Sequence, residues 1–207
     1  RFVDVRTGTG LHFNIVPGRG MDICAADYCG HALSFVSKTG IVHPAFYESD
    51  YDGFHRSFFA GLLTTCGLRN IGAPCEDDGE YLGLHGRLNN IPADNVCISN
   101  AWDNDDFAIR VSGTARESKL YGENMVLRRE VLTHLGSNEI HITDRIENQG
   151  FQTQPLTLLY HCNFGFPLLD SSSRLYLPDG KTRARDNKAR ESMDRLDQFE
   201  APNITYP

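Results

Sequence analysis

The residues able to do chemistry fall into two places far apart in the chain. One is the stretch 158–169, Leu-Leu-Tyr-His-Cys-Asn-Phe-Gly-Phe-Pro-Leu-Leu, where His161 and Asn163 stand two residues apart. The other joins Arg69-Asn70 to His85, which lies in Gly83-Leu84-His85-Gly86-Arg87. An imidazole titrates near neutrality, so it can give and recover a proton at physiological pH. A histidine among apolar residues is costly to bury charged and needs a partner or a task. For His161 the competing account is a core histidine bonded to a backbone carbonyl. That account is weaker for His85, whose flanking glycines offer little packing and let a ligand approach the backbone.

The elements that must hold these groups read as strands. The apolar run 156–160 suits a buried strand, and two-residue spacing on it would put His161 and Asn163 on one face; Gly165 and Pro167 end it. Residues 2–5 and 11–16 form a hairpin across Thr7-Gly8-Thr9-Gly10. Pro17-Gly18-Arg19-Gly20 is a tight turn into Met21-Asp22-Ile23-Cys24, with Arg19 and Asp22 read as a charged pair bracing it. Residues 32–36 form another short strand. An irregular aromatic passage then runs from His43 to Phe59, and residues 60–65 fit either a helix or a strand.

Strands follow at 95–100, 107–115, 124–134 and 139–148, separated by Asp/Asn/Gly turns. Residues 139–146 alternate between an apolar and a polar face, with His141 on the solvated one. The charged segment 188–199 fits a helix or a loop. The expected fold is therefore all-β, an antiparallel sandwich or barrel. At 207 residues the chain reads as a single domain, and its ends, Arg1 within a strand-like segment and Pro207, read as interruptions of a longer protein.

A net charge of -7 argues against a nucleic-acid partner, whose phosphates demand a basic surface. The basic run 181–190 is broken by Asp186 and reads as a solvated loop. No apolar run approaches the roughly 20 residues that span a bilayer, so no membrane partner is expected. Six cysteines without a Cys-x-x-Cys pair, several in apolar contexts, read as buried free thiols of a cytoplasmic protein.

Arginine, asparagine and histidine set among tyrosines and phenylalanines suit a polyol, because aromatic faces cover C–H patches while the polar groups reach hydroxyls. Cys66-Gly67-Leu68-Arg69-Asn70-Ile71, then Leu84-His85-Gly86, then Leu159-Tyr160-His161-Cys162-Asn163-Phe164 resemble the aldose 1-epimerase (galactose mutarotase-like) superfamily. The likeness is strongest to an aldose 1-epimerase-related branch of unsettled substrate, which carries Pro-Gly-Arg-Gly-x-Asp-Ile and Gly-Leu-His-Gly-Arg. Here those are residues 17–23 and 83–87.

The resemblance implies a β-supersandwich with a sugar site in a groove on one face. It implies a general acid at His161, a sugar-positioning histidine at His85, and hydroxyl binding by Arg69. Asn70 and Asn163 beside these groups, and Arg87 after His85, are expected as further substrate contacts from their own chemistry. It implies a small-molecule sugar as partner and no cofactor or metal; assembly with further copies of the chain is left open.

Two departures matter. The family's general base is a glutamate near the C-terminus, and neither Glu147, Asp170 nor Glu200 lies in a matching motif. Arg87 stands where typical galactose mutarotases have a glycine, which would favour an acidic or phosphorylated sugar unless the guanidinium pairs with Asp94 or Glu80. The expected activity is anomer interconversion of an aldose. The rival readings are a non-catalytic sugar-binding protein and, without the His-x-His pair it requires, a metal-dependent cupin-type isomerase.

Overall fold

The computed structural model describes residues 1–203. Its strands are β1 (Val3–Arg6), β2 (Leu11–Val16), β3 (Asp22–Tyr28), β4 (His31–Ala32), β5 (Leu63–Leu68) and β6 (Cys75–Asp77). They continue with β7 (Glu80–Leu82), β8 (Asp94–Asp103), β9 (Asp106–Ser118), β10 (Asn124–His134), β11 (His141–Asn148) and β12 (Thr157–Cys162). One sheet runs β1-β2-β3-β5-β12 with β4 on β3, a second runs β11-β10-β9-β8, and β6-β7 is a separate hairpin. All strand pairs are antiparallel. Among the described residues no helix is long and apolar enough to cross a membrane.

Two-residue alternation builds the core. Leu11, Phe13 and Ile15 of β2 face inward with Ile23 of β3, and they meet Val111 of β9 and Val131 of β10 from the other sheet. A second cluster joins Leu68 at the end of β5 to Ala115, Met125 and Leu127. The alternation in β11 holds: Ile142 and Ile146 are partly buried, while His141 is exposed and pairs with Glu139 at 3.0 Å.

Several expectations are corrected. Residues 32–36 do not form a continuous strand; beyond Ala32 only single bridges tie Ser34 to Phe164 and Val36 to Ala60. The open choice at 60–65 resolves as strand from Leu63, because it lies between β3 and β12. The charged segment contains one helical turn, Asn187–Arg190, started by the Asp186 carboxylate accepting the Ala189 N–H at 2.8 Å. All six cysteines are free, but only Cys24 and Cys66 are buried. Arg19 and Asp22 do not pair with each other, since each is engaged elsewhere.

Asp22 belongs to the interaction that locks the two sheets. Arg129, at an inward position of β10 with a fully buried side chain, reaches Asp22 of β3 at 3.0 Å. Its Nε and Nη2 grip both oxygens of Asp144, its register partner on β11, at 2.8 and 2.6 Å. The other Asp22 oxygen accepts the Thr65 N–H of β5 at 3.0 Å, and the Tyr160 hydroxyl of β12 donates to Asp144 at 2.8 Å. One guanidinium thus connects five strands through fully hydrogen-bonded charges, the condition under which buried ions are tolerated.

Arg129→Met should leave two uncompensated buried carboxylates and cost about 3–5 kcal/mol of stability. Combining it with Asp22→Asn and Asp144→Asn should recover most of that loss in urea denaturation. A single variant as stable as wild type would show that the network does not lock the sheets.

Candidate functional site

His161 sits on β12 opposite Thr64 of β5. His85 lies on the loop after β7, which is drawn against the end of β5. The Gly67 N–H donates to the His85 carbonyl at 3.1 Å, and the Arg87 N–H donates to the Gly67 carbonyl at 3.1 Å. The approach is so close that a Cβ on Gly86 (φ +75°) would lie 2.5 Å from the Gly67 oxygen and 2.6 Å from that of Asn70. Only glycine fits there. His85 itself has φ +60°, a left-handed conformation costly for a residue with a side chain.

This loop brings the two imidazoles together, with ring centroids 5.5 Å apart and planes at 88°. Phe58 stands edge-on to His161 at 5.3 Å, Phe54 lies 5.1 Å from His85, and Phe54 and Phe58 stack at 4.9 Å. The four rings therefore form a closed circuit. Phe54 comes from a 3-10 turn, Gly53–Arg56, that the sequence reading passed over. The Phe-x-x-x-Phe spacing of one helical turn was the available signal, but it lay in a passage without periodicity.

The Gly72 N–H donates to Nδ1 of His85 at 3.2 Å. The neutral ring therefore carries its proton on Nε2 and presents a donor. Burial, followed by the nearby charges of His161 and His55, holds the His85 pKa below its ordinary value. At neutral pH His85 is thus a hydrogen-bond donor without charge. His55, exposed beside Phe54 at 6.1 Å, is a third imidazole at this end that the sequence reading left unassigned.

Of the other expected contacts, three have protein partners of their own. The Arg69 guanidinium, only 12% exposed, pairs with Glu80 at 2.6 Å and lies 3.5 Å from Glu123. Asn70 is buried and its amide donates to the Gly83 carbonyl at 2.6 Å, so it braces the His85 loop. Asn163 lies just past the end of β12, and its amide turns back to the His161 carbonyl at 2.9 Å.

Arg87 is exposed, and its charge acts on Tyr47 and on Glu117, a buried carboxyl held above its usual range by burial. Glu80, one partner considered for Arg87, is occupied by Arg69 and Lys119. The candidate carboxylates are also engaged elsewhere. Glu147 pairs with Arg145 at 3.1 Å, Glu200 with Arg195 at 3.5 Å, and Asp170 accepts from Ser172 at 2.7 Å.

A family model described as a domain of unknown function, DUF4432, matches residues 1–207. The chain belongs to that family. It also superposes on the crystal structure of a protein from Klebsiella pneumoniae subsp. pneumoniae described as a "putative aldose 1-epimerase", with a TM-score of 0.88 and 24% identity. The match covers 98% of this chain and 53% of that one, so the chain spans about half the length of the solved protein. At that identity the likeness shows a shared all-β fold. Comparison with curated proteins finds no match.

In an NMR titration the His85 ring should have a midpoint below the ordinary 6.5. His161→Gln should raise that midpoint yet leave it below 6.5, because burial is the larger cause. The folded state disfavours the charged ring, so its effect on stability is nil well above pH 6.5 and stability is lost as pH falls through the depressed midpoint. A midpoint above 6.5 would contradict the buried, neutral assignment.

Proposed function

We propose that this site binds an aldose or aldose derivative and interconverts its anomers by acid–base ring opening. The observation that carries the reading is the His85–His161 pair, edge to face at 5.5 Å, with His85 held as a neutral donor. In this scheme the His161 imidazolium protonates the ring oxygen as the C1–O5 bond breaks. The anomeric hydroxyl loses its proton to a base, leaving an open aldehyde. Rotation about C1–C2 and the reverse transfers close the other anomer. His85 donates from Nε2 to a sugar oxygen and fixes its position, and the partly exposed Phe58 ring, backed by the buried Phe54, offers an apolar face to C–H groups.

Support comes from the order of the motifs, the convergence of two distant imidazoles and the fold shared with the Klebsiella protein. The resemblance assigns the base to a glutamate that no motif of this chain matches, so the test requires the full-length protein. The second reading is a sugar-binding protein that uses the same groove without turning its ligand over.

Saturation-transfer NMR across neutral, acidic and phosphorylated sugars should find one class whose anomers exchange faster with the protein. For that sugar His161→Asn should slow exchange by at least ~100-fold. An unchanged rate would remove His161 from the mechanism, and binding without exchange in wild type would favour the second reading. EDTA should leave exchange intact. Loss with EDTA and recovery with manganese or zinc would require a metal mechanism instead.

A further inference from the structure

Arg19 has a buried guanidinium that makes no ion pair within 4 Å among the described residues, yet every nitrogen is used. Nε donates to the Asn89 carbonyl at 2.7 Å, Nη1 to that of Val42 at 2.8 Å, and Nη2 to that of Ser57 at 2.9 Å. The group also lies over the Phe59 ring, 5.0 Å from its centroid. Its acceptors come from three separate segments, and each borders the imidazole site. Ser57 separates Phe54 from Phe58, whose rings touch His85 and His161. Asn89 lies in the 3-10 turn Leu88–Asn90 that directly follows the His85 loop. Val42 precedes His43 and the turn Pro44–Phe46, after which Tyr47 donates to the Gly86 carbonyl at 3.2 Å.

These segments are loops and single turns; the Gly67–Gly86 bridge ties the His85 loop to β5, but no ladder runs between that loop, the Ser57 segment and the Val42 segment. The planar fork of one arginine links all three, because its donors point in fixed and different directions. The Ser57 hydroxyl adds a contact to the Asn90 amide oxygen at 3.4 Å. The guanidinium is held from the rigid side, since Arg19 lies in the turn between β2 and β3, with its N–H on the Val16 carbonyl and its own carbonyl on the Asp22 N–H. Burial lowers its pKa to about 10, which still leaves it charged at neutral pH.

We infer that Arg19 is a positioning residue for the imidazole pair: it fixes the Phe54–Phe58 segment and the His85 loop at the separation that closes the four-ring circuit. It acts through the carbonyls it holds and touches neither imidazole. A lysine keeps the charge but cannot direct three hydrogen bonds in the plane of a guanidinium, so it isolates geometry from charge.

The consequence for turnover rests on the proposed function; the consequence for ring geometry does not. In full-length Arg19→Lys, ring cross-peaks between His85 and His161 should weaken or vanish, and the His85 titration should move up toward 6.5 as burial and the neighbouring imidazole are lost. If anomer exchange is the activity, kcat should fall about 100-fold, the order expected for a displacement of about 1 Å, with a smaller change in KM.

Phe59→Leu removes the ring beneath the guanidinium while leaving its hydrogen-bond acceptors, and should produce the same spectral changes in weaker form. It carries the test if the lysine variant does not fold. A folded lysine variant with wild-type cross-peaks and wild-type His85 titration overturns the inference, as does a folded Phe59→Leu without spectral change when the lysine variant is unfolded. A wild type inactive on every sugar removes the proposed function but leaves the spectral comparison decisive for Arg19.

Discussion

The buried Arg129 guanidinium is the constraint on which the arrangement of the sheets depends. Hydrophobic packing between two sheets is non-directional and tolerates sliding. A charge with fixed partners on both layers does not. Arg129 holds Asp144 on its own sheet and Asp22 on the other, and Asp22 takes the Thr65 N–H of β5. Thr65 lies opposite Tyr160 in the β5–β12 register, and Tyr160 donates back to Asp144. The strand carrying His161 is thereby indexed to both sheets. Breaking the network would expose buried ions to an apolar interior, which is why the register is specific as well as stable.

The second constraint governs the loops. β5 ends where Gly67 meets Gly86, and the missing side chains let two backbones approach within hydrogen-bond distance. That contact places His85 beside β12. Asn70, Tyr47 and Arg19 then use side chains to hold carbonyls of the surrounding segments. Irregular chain needs such supports because its backbone groups have no ladder to satisfy them. Several polar residues near the site consequently serve the scaffold, while the two imidazoles and the Phe58 ring keep part of their surface exposed, and His55 and Arg87 are exposed.

The electrostatics fit this division. Arg69 is neutralised by Glu80 and Glu123, so the cation adjoining the His85 loop is internally matched. His85 is kept uncharged by burial and by the other imidazoles, with its Nδ1 occupied by a backbone donor. A neutral donor of defined tautomer suits the orientation of a hydroxyl-rich ligand better than a diffuse positive charge does.

Much of the fold was legible in the chain. The period-two pattern of β11 reports local geometry, because alternate side chains of a strand face opposite ways whatever lies beyond it. The two histidines were also legible, through their glycine and proline surroundings and the order of the motifs. What pairs across the molecule was not. Asp22 and Arg129 lie 107 residues apart, and a charge at an inward strand position looks in sequence like a solvated one.

The aromatic passage before Phe59 concealed the Phe54–Phe58 stack because single turns have no period to detect. Asn70 and Arg69 read as free donors until the structure supplied the Gly83 carbonyl and the Glu80 carboxylate. Sequence by itself determined the strands and the residue types able to move a proton. Only the tertiary structure decided which polar groups remain available, because availability depends on partners brought together from distant parts of the chain.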